Sequence, residues 1–566
     1  MKNLRKALFT LSLTFVLSAC GAGGNKLDWN KVKNTGTGIS LESGKVAKCS
    51  LKFDSEAFAS SKKKADEIAV NKGSVYTFNG ETEKVFNMVE SLREKVTVSR
   101  AKYYEAGADE YKEIYDSLYE EYLGFYAWYY TFLQHVRDSS PEIYNSFFGD
   151  MSEKEVADYI QNFLYTEDTK RLDTEIEAIQ NEQEEKYTQF VKDFRNQTIR
   201  MGDSGWNKYL NESLDNFRQV ISKGGEYAAY YGYDNYLDYV YENWYNRNYK
   251  YDFVEDYVAL VDQYVIPAAQ YYENNVNDSV IKKTSKKKLF ESFTSGNIAD
   301  ETYFKGDLLD AYVKQMGSSM SGAYDHMKND GYFIFSNDPN SLGTAYVASG
   351  MDEPLIFFSS GYQNVSTIVH EFGHYHAEYS NPNNGSFPFD IEETHSQGNE
   401  MLFARYLSEY YKDSPDLDVY QYIQDYSVYS MLSDSILPAA VAKVESYVFE
   451  NLDKTNSEIL SGVNTIMSKY RALYPDGYDM IYAYWAAPIV SAVGYYISYA
   501  TSAVASATIY IEARQDFETA KSKYLKFVAY PEECNDINTI FNYAGIDSPL
   551  EESTLQKLTH SNLYSF

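Results

Sequence analysis

Histidine is scarce in this chain, with seven residues in 566. Proline and cysteine are scarce as well, at twelve and three. Few prolines remove the commonest helix breaker and permit long helices. Three cysteines exclude a disulfide-built scaffold and a four-thiolate zinc site. Basic residues are outnumbered, leaving a formal net charge of −31. That balance argues against nucleic acid as a partner, because phosphate contacts need a basic surface. No internal repeat or low-complexity domain is visible.

Tyrosine, in contrast, is abundant, at 58 residues, and 44% of the chain is hydrophobic. The length allows a large core, divided among two to four domains or built into one large enzyme fold. Aromatic and aliphatic residues recur at spacings of three and four through Tyr111–Leu133. The same periodicity covers Asp252–Asn275 and Asp307–Met327, so the expected fold is mainly α. Glu175–Arg195 is dense in charge and predicts a largely exposed helix. Two short runs, Gly331–Phe335 and Pro354–Phe358, are aromatic and β-branched and predict strands.

Long uncharged runs are also few. Met1–Lys6 is basic, and residues 7–19 are uncharged and mostly apolar, in the layout of a secretory signal. Leu17-Ser18-Ala19-Cys20 is similar to the lipobox of bacterial lipoproteins, which implies export and lipidation of Cys20. The membrane would then be reached only through an N-terminal lipid, at the outer face of a bacterial cell membrane. Cys49 and Cys534 remain, and an exported chain leaves their pairing open. Residues 481–511 carry no charge. Pro488 and many tyrosines within them favour a buried helix pair lining a cavity over a membrane span.

Three of the seven histidines fall within seven positions, in His370-Glu371-Phe372-Gly373-His374-Tyr375-His376. This contains H-E-x-x-H. On a helix, residues four apart share a face, so His370 and His374 can aim at one metal ion. Glu371 lies beside that face, where a carboxylate can take a proton from water. The pattern predicts one zinc ion. His376, two residues past His374, points away from that face and is expected in packing or behind a ligand.

Zinc needs a third protein ligand. Asn381–Gly385 must end the first helix, and a second is expected from about Phe389. On it Glu393, Gln397 and Glu400 share one face, while Glu392 and His395 point elsewhere. Spacing therefore favours Glu393 as ligand. Glu400 or Asp390 is expected to support a histidine ring from behind.

These residues resemble the thimet oligopeptidase and oligoendopeptidase F family of zinc metallopeptidases. Val365–His376 is similar to its "T-x-x-H-E-x-G-H-x-x-H" region, and Asp390–Glu400 to its "D-x-x-E-x-x-S-Q-x-x-E" segment, whose third ligand falls on Glu393. Ser321–Tyr324, Tyr230–Tyr236 and Tyr495–Thr501 resemble further family segments. The resemblance spans roughly residues 190–560. It implies two helical lobes around a deep substrate channel, with a small β-sheet next to the zinc-binding helix. The expected division is a signal peptide (1–19), a tether and lead-in (20–75), a helical N-terminal lobe (76–200) and a catalytic region (201–566). It implies a zinc endopeptidase acting on oligopeptides, and one of Tyr495, Tyr496 and Tyr499 in the reaction, with Tyr499 favoured by register. Two features depart from the family: His376 comes one residue early, and Ala487-Pro488-Ile489 stand where the family has a histidine.

Two alternatives remain at this point. A related carboxypeptidase or dipeptidase would need a cation near the site, and Arg405 is the nearby arginine. A peptide-binding lipoprotein would need no chemistry at all. Substrate preference and oligomeric state are left open by the sequence.

Overall fold

The computed structural model describes residues 49–565, apart from 107–108, 150, 295–306, 336–344, 349–353, 359–363, 382–386, 475–476 and 532–533. Cys20 and the expected signal peptide lie outside the described residues. The architecture is mainly α, with one three-stranded sheet among the described residues.

Helices begin earlier than the periodicity suggests. Helix α1 (Ser55–Val70) lies within the lead-in, and the Asp54 carboxylate accepts from the Ala57 N–H at 2.9 Å to cap it. Its buried residues Phe58, Ala65 and Ala69 form one narrow stripe, too sparse for a strong periodic signal. α2 (Val75–Ala106), α3 (Asp109–Arg137), α4 (Pro141–Phe148) and α5 (Glu153–Asn162) follow. Phe78, Phe86, Phe125, Tyr129 and Phe132 give these helices a common aromatic core. A capping box of Ser152 and Glu155 starts α5.

α6 (Glu167–Arg195) is charged on one face only. Leu172, Ile176, Ile179 and Phe190 are buried, contrary to the expectation of a largely exposed helix. Two of its glutamines are buried too, and Gln183 donates to Ser213 Oγ (2.8 Å) and to the Ala486 carbonyl (3.0 Å). Polar residues thus share the interior contacts with the apolar ones there, which a reading by charge and hydropathy misses. α6 shares a core with α7 (Ser204–Tyr230) and with helices near the C-terminus. The expected helix Asp252–Asn275 runs from Phe253 to Asn275 with a wide turn at Val261–Val265. The expected helix Asp307–Met327 is two, Asp307–Met316 and Ser318–Asp330, parted at Gly317.

Both predicted strands form, as β1 (Phe333–Phe335) and β3 (Leu355–Phe358), and they pair in parallel. A third, β2 (Ala345–Ala348), lies between them in sequence and pairs antiparallel with β3, giving the order β1-β3-β2. Strand β3 is buried on both faces, as side chains two apart require. Leu355 and Phe357 enter the core of the N-terminal helices, and Ile356 and Phe358 the core around the helix that carries His370 and His374. That helix is α8 (Val365–Ser380). α9 (Phe389–Tyr410) packs along it, followed by α10 (Leu417–Phe449).

The uncharged segment is buried but broken into three helices, not two. They are Tyr478–Tyr484, Pro488–Ser491 and α11 (Ile497–Gln515), interrupted by Pro488 and by Gly494 at φ +77°. α11 packs against α9 and α10, and α12 (Phe517–Val528) follows it. Among the described residues no helix is long and apolar enough to cross a membrane. Cys49 and Cys534 are both free thiols.

Candidate metal centre

α8 starts where the Asn364 side chain accepts from the Thr367 N–H at 3.0 Å. His370 and His374 then lie on successive turns, ring centroids 5.1 Å apart. α9 approaches closely at Gly373. A Cβ there would lie 2.7 Å from both the His395 carbonyl oxygen and the Ser396 Cα. Asn399 secures the contact by donating its amide to the Val369 carbonyl at 2.8 Å.

This approach sets Glu393 opposite the two rings. Its Oε2 lies 3.7 Å from His374 Nε2 and 3.9 Å from His370 Nε2. One ligand atom from each of the three residues falls within 4.8 Å of the others. Donors about 2 Å from a tetrahedral zinc lie a little over 3 Å apart, so modest inward movement completes such a set. Glu393 Oε2 is also buried with no hydrogen-bond partner. An unpaired buried carboxylate oxygen is costly, and a cation at this point satisfies it.

The surroundings tune each group. Burial lowers the His370 pKa, but the hydrogen bond and charge of Glu400, with Glu371 and Glu393, outweigh it and push it up to about 10. Burial and the charge of His370 hold His374 well below its ordinary value, which keeps it a neutral donor. Burial, aided by Glu393 and Glu400 against His370, pushes Glu371 up to about 7.

Of the residues expected behind the ligands, Glu400 lies 2.7 Å from His370 Nδ1. Asp390 holds no histidine. Its Oδ2 accepts from Arg247 Nε (3.0 Å) and Ser498 Oγ (3.2 Å), and its Oδ1 from Tyr249 OH (2.7 Å) and Thr501 Oγ1. Helix geometry explains the difference, since Asp390 is one turn before Glu393 and faces the first turns of α11.

His376 is buried away from the ligands, its Nε2 3.0 Å from Ser319 Oγ. Burial alone pushes its pKa down to about 4. His395 packs against Phe387 and Phe527, and burial, with the charge of His376, brings it down to about 3. Glu392 is half-buried outside the converging set. Arg405 pairs with Glu409 at 3.1 Å on its own helix.

The three tyrosines separate by role. The Tyr495 hydroxyl donates to Glu393 Oε1 at 2.5 Å, and its oxygen is 3.1 Å from the Tyr499 hydroxyl. Tyr496 turns aside to Tyr484, 2.7 Å away. Burial raises all three phenols well above their ordinary value, and the Glu393 charge adds to this at Tyr495 and Tyr499, so each stays a neutral donor. The sequence reading missed Arg247. It sits 143 residues before its partner Asp390, in Tyr245-Asn246-Arg247-Asn248-Tyr249, with no local motif to mark it.

No family model matches the chain, and no curated protein matches it in sequence. Solved structures match it in fold. PZ peptidase A with an inhibitor is 15% identical, covering 90% of this chain and 96% of that one, with a TM-score of 0.66. A Bacillus anthracis structure provisionally described as an oligoendopeptidase F is 14% identical, over 89% and 94% of the two chains, with a TM-score of 0.62. An oligoendopeptidase F from Enterococcus faecium is 12% identical, over 90% and 97%, with a TM-score of 0.52. The chain shares the mainly α fold of these proteins over nearly their whole length.

Proposed function

We propose that the protein is a zinc-dependent endopeptidase that hydrolyses oligopeptides. The observation that carries this reading is the convergence of His370, His374 and Glu393, with the buried carboxylate of Glu371 beside them. These three residues would hold the ion. Zinc there would supply Lewis-acid chemistry, lowering the pKa of a water and polarising the carbonyl of the bond to be cut.

The protein's own groups do the rest. Glu371 takes the proton of the attacking water on its carboxylate and returns it to the departing amine. Glu400 holds the His370 ring by its Nδ1. The Tyr495 hydroxyl donates to Glu393 and keeps its proton, and the Tyr499 hydroxyl beside it turns toward the oxyanion of the substrate. That phenol stands in for the histidine that the family places near 487–489. Peptides would reach the site through a channel between the helical lobes.

Endopeptidase is favoured over carboxypeptidase by the state of Arg405 and Arg247. Arg405 is paired on its own helix, and Arg247 is wholly buried against Asp390, so neither offers a guanidinium to a terminal carboxylate. A peptide-binding protein without chemistry would have no use for a carboxylate buried beside His370, His374 and Glu393. The Cys20 lipid anchor and action outside the cell complete the proposal, and they rest on the N-terminal sequence.

The test is digestion of a peptide capped at both ends, followed by mass spectrometry, with and without a zinc chelator. Internal cleavage that the chelator abolishes is expected. Glu371→Gln should retain zinc and lose turnover about 10³-fold. Equal hydrolysis by the two proteins defeats the mechanism.

A further inference from the structure

We propose that Arg247 is a positioning residue for the metal centre, acting through Tyr495 on the ligand Glu393. This rests on the reading of the centre given above. The Arg247 side chain is wholly buried, and so is that of its partner Asp390. Besides Asp390, the guanidinium donates to the Gly494 carbonyl (2.7 Å), the Tyr495 carbonyl (3.3 Å) and Ser498 Oγ (2.6 Å). The rings of Tyr241 and Tyr245 lie 4.5 and 4.6 Å from it.

These contacts join two segments that must agree in position. Asp390 and Glu393 are one turn apart on α9. Gly494 and Tyr495 form the turn into α11. At φ +77° that turn requires glycine, and a Cβ would meet Tyr241 and Val240 at 3.0–3.1 Å. The turn is gripped from both sides, because Arg247 takes the Gly494 carbonyl and the Glu445 carboxylate accepts from the Gly494 N–H at 2.8 Å. The Tyr495 ring is stacked on Tyr245 (5.6 Å), two residues before the arginine, and meets Phe389, the neighbour of Asp390, edge-on (5.7 Å), and these two contacts fix its direction. Its hydroxyl meets Glu393 Oε1 and Tyr499, and Glu393 Oε2 is left for the ion.

A buried ion pair adds little to stability, because desolvation of both charges offsets their attraction. What it supplies here is registration between α9 and the turn before α11. Loss of that register by about 1 Å would cost on the order of 10²-fold in turnover, and about tenfold in metal affinity through the carboxylate ligand.

The experiment compares four full-length proteins: wild type, Tyr495→Phe, Arg247→Met with Asp390→Asn, and the combination of all three changes. Removing both charges avoids leaving one buried alone. Zinc affinity is read by competition with a chromophoric chelator, and kcat on the capped peptide. The paired change should lower zinc affinity about tenfold and kcat about 10²-fold. In the Tyr495→Phe background the same change should cost less than about threefold in either quantity, because the path through the phenol is already cut.

Full multiplication of the two effects, or wild-type values for the paired variant, overturns the proposal. If the paired variant does not fold, Arg247→Lys keeps the charge without the fork, and its zinc affinity must show the same dependence on Tyr495. Coupled losses of zinc affinity in a protein that cleaves no peptide would sustain the clamp and defeat the peptidase reading. Cleavage with uncoupled losses would do the reverse.

Discussion

Nδ1 of His370 and Oε1 of Glu400 are 2.7 Å apart, although the two residues belong to different helices. This contact fixes the ring and raises the basicity of the nitrogen that faces Glu393. Glu400→Gln keeps the shape and removes the charge. Zinc affinity should fall at least about tenfold, with the circular dichroism spectrum unchanged. Unaltered affinity in a chelator competition would show the contact to be incidental.

Gly373 admits α9 to within contact of α8. An alanine methyl would press on backbone atoms, which cannot rotate away. Gly373→Ala should destabilise by about 1–3 kcal/mol in urea unfolding and weaken zinc binding as well, since the ligands sit on the separated helices. Gly225, also helical, serves as the control, because a Cβ added there would meet nothing within 4 Å. Gly225→Ala should stabilise by about 0.5–1 kcal/mol.

Glu445 supplies a pH dependence away from His370, His374 and Glu393. Burial raises its pKa to about 8, against the opposing influence of the Gly494 N–H and of Arg247. The folded chain therefore holds a proton that the unfolded chain releases near its ordinary value of about 4.3. Between these values the folded state binds more protons, so this group's contribution to stability is full below about pH 4 and falls as pH rises toward 8. Thermal unfolding of wild type and Glu445→Gln at pH 5.5 and 8 should show a smaller loss of Tm at the higher pH in the variant. Parallel shifts would refute the assignment.

The phenols should rank by position. Tyr499→Phe should lower kcat about 10²-fold with little change in KM. Tyr496, bonded to Tyr484 and not to the ligand, should cost only a few-fold on the same change. A reversed ranking would show that Tyr496 is the donor.

The convergence of His370, His374 and Glu393 is legible in the sequence because helix periodicity converts spacing into direction. His370 and His374 follow from one helix, and Glu393 from a second whose start at Phe389 was marked by the breaker before it. The two aromatic strands were legible for a similar reason. β2 was not, since Ala345-Tyr346-Val347-Ala348 has too few branched residues to stand out and forms by pairing with β3. Asp390 was misread because its partner Arg247 is 143 residues away, and no local pattern encodes a pairing at that separation. Gly373 was visible as a letter in a motif, but its reason, the approach of α9, exists only once both helices are packed.

Strand β3 is four residues long, yet its alternating side chains serve two interiors. Leu355 and Phe357 belong with the N-terminal helices, and Ile356 and Phe358 with the helix that carries His370 and His374. It is a party wall: neither room can be demolished without stripping a face of the other. Removal of roughly the first 165 residues would therefore leave greasy side chains bare directly behind that helix, and the shortened chain should clump rather than work as a trimmed enzyme.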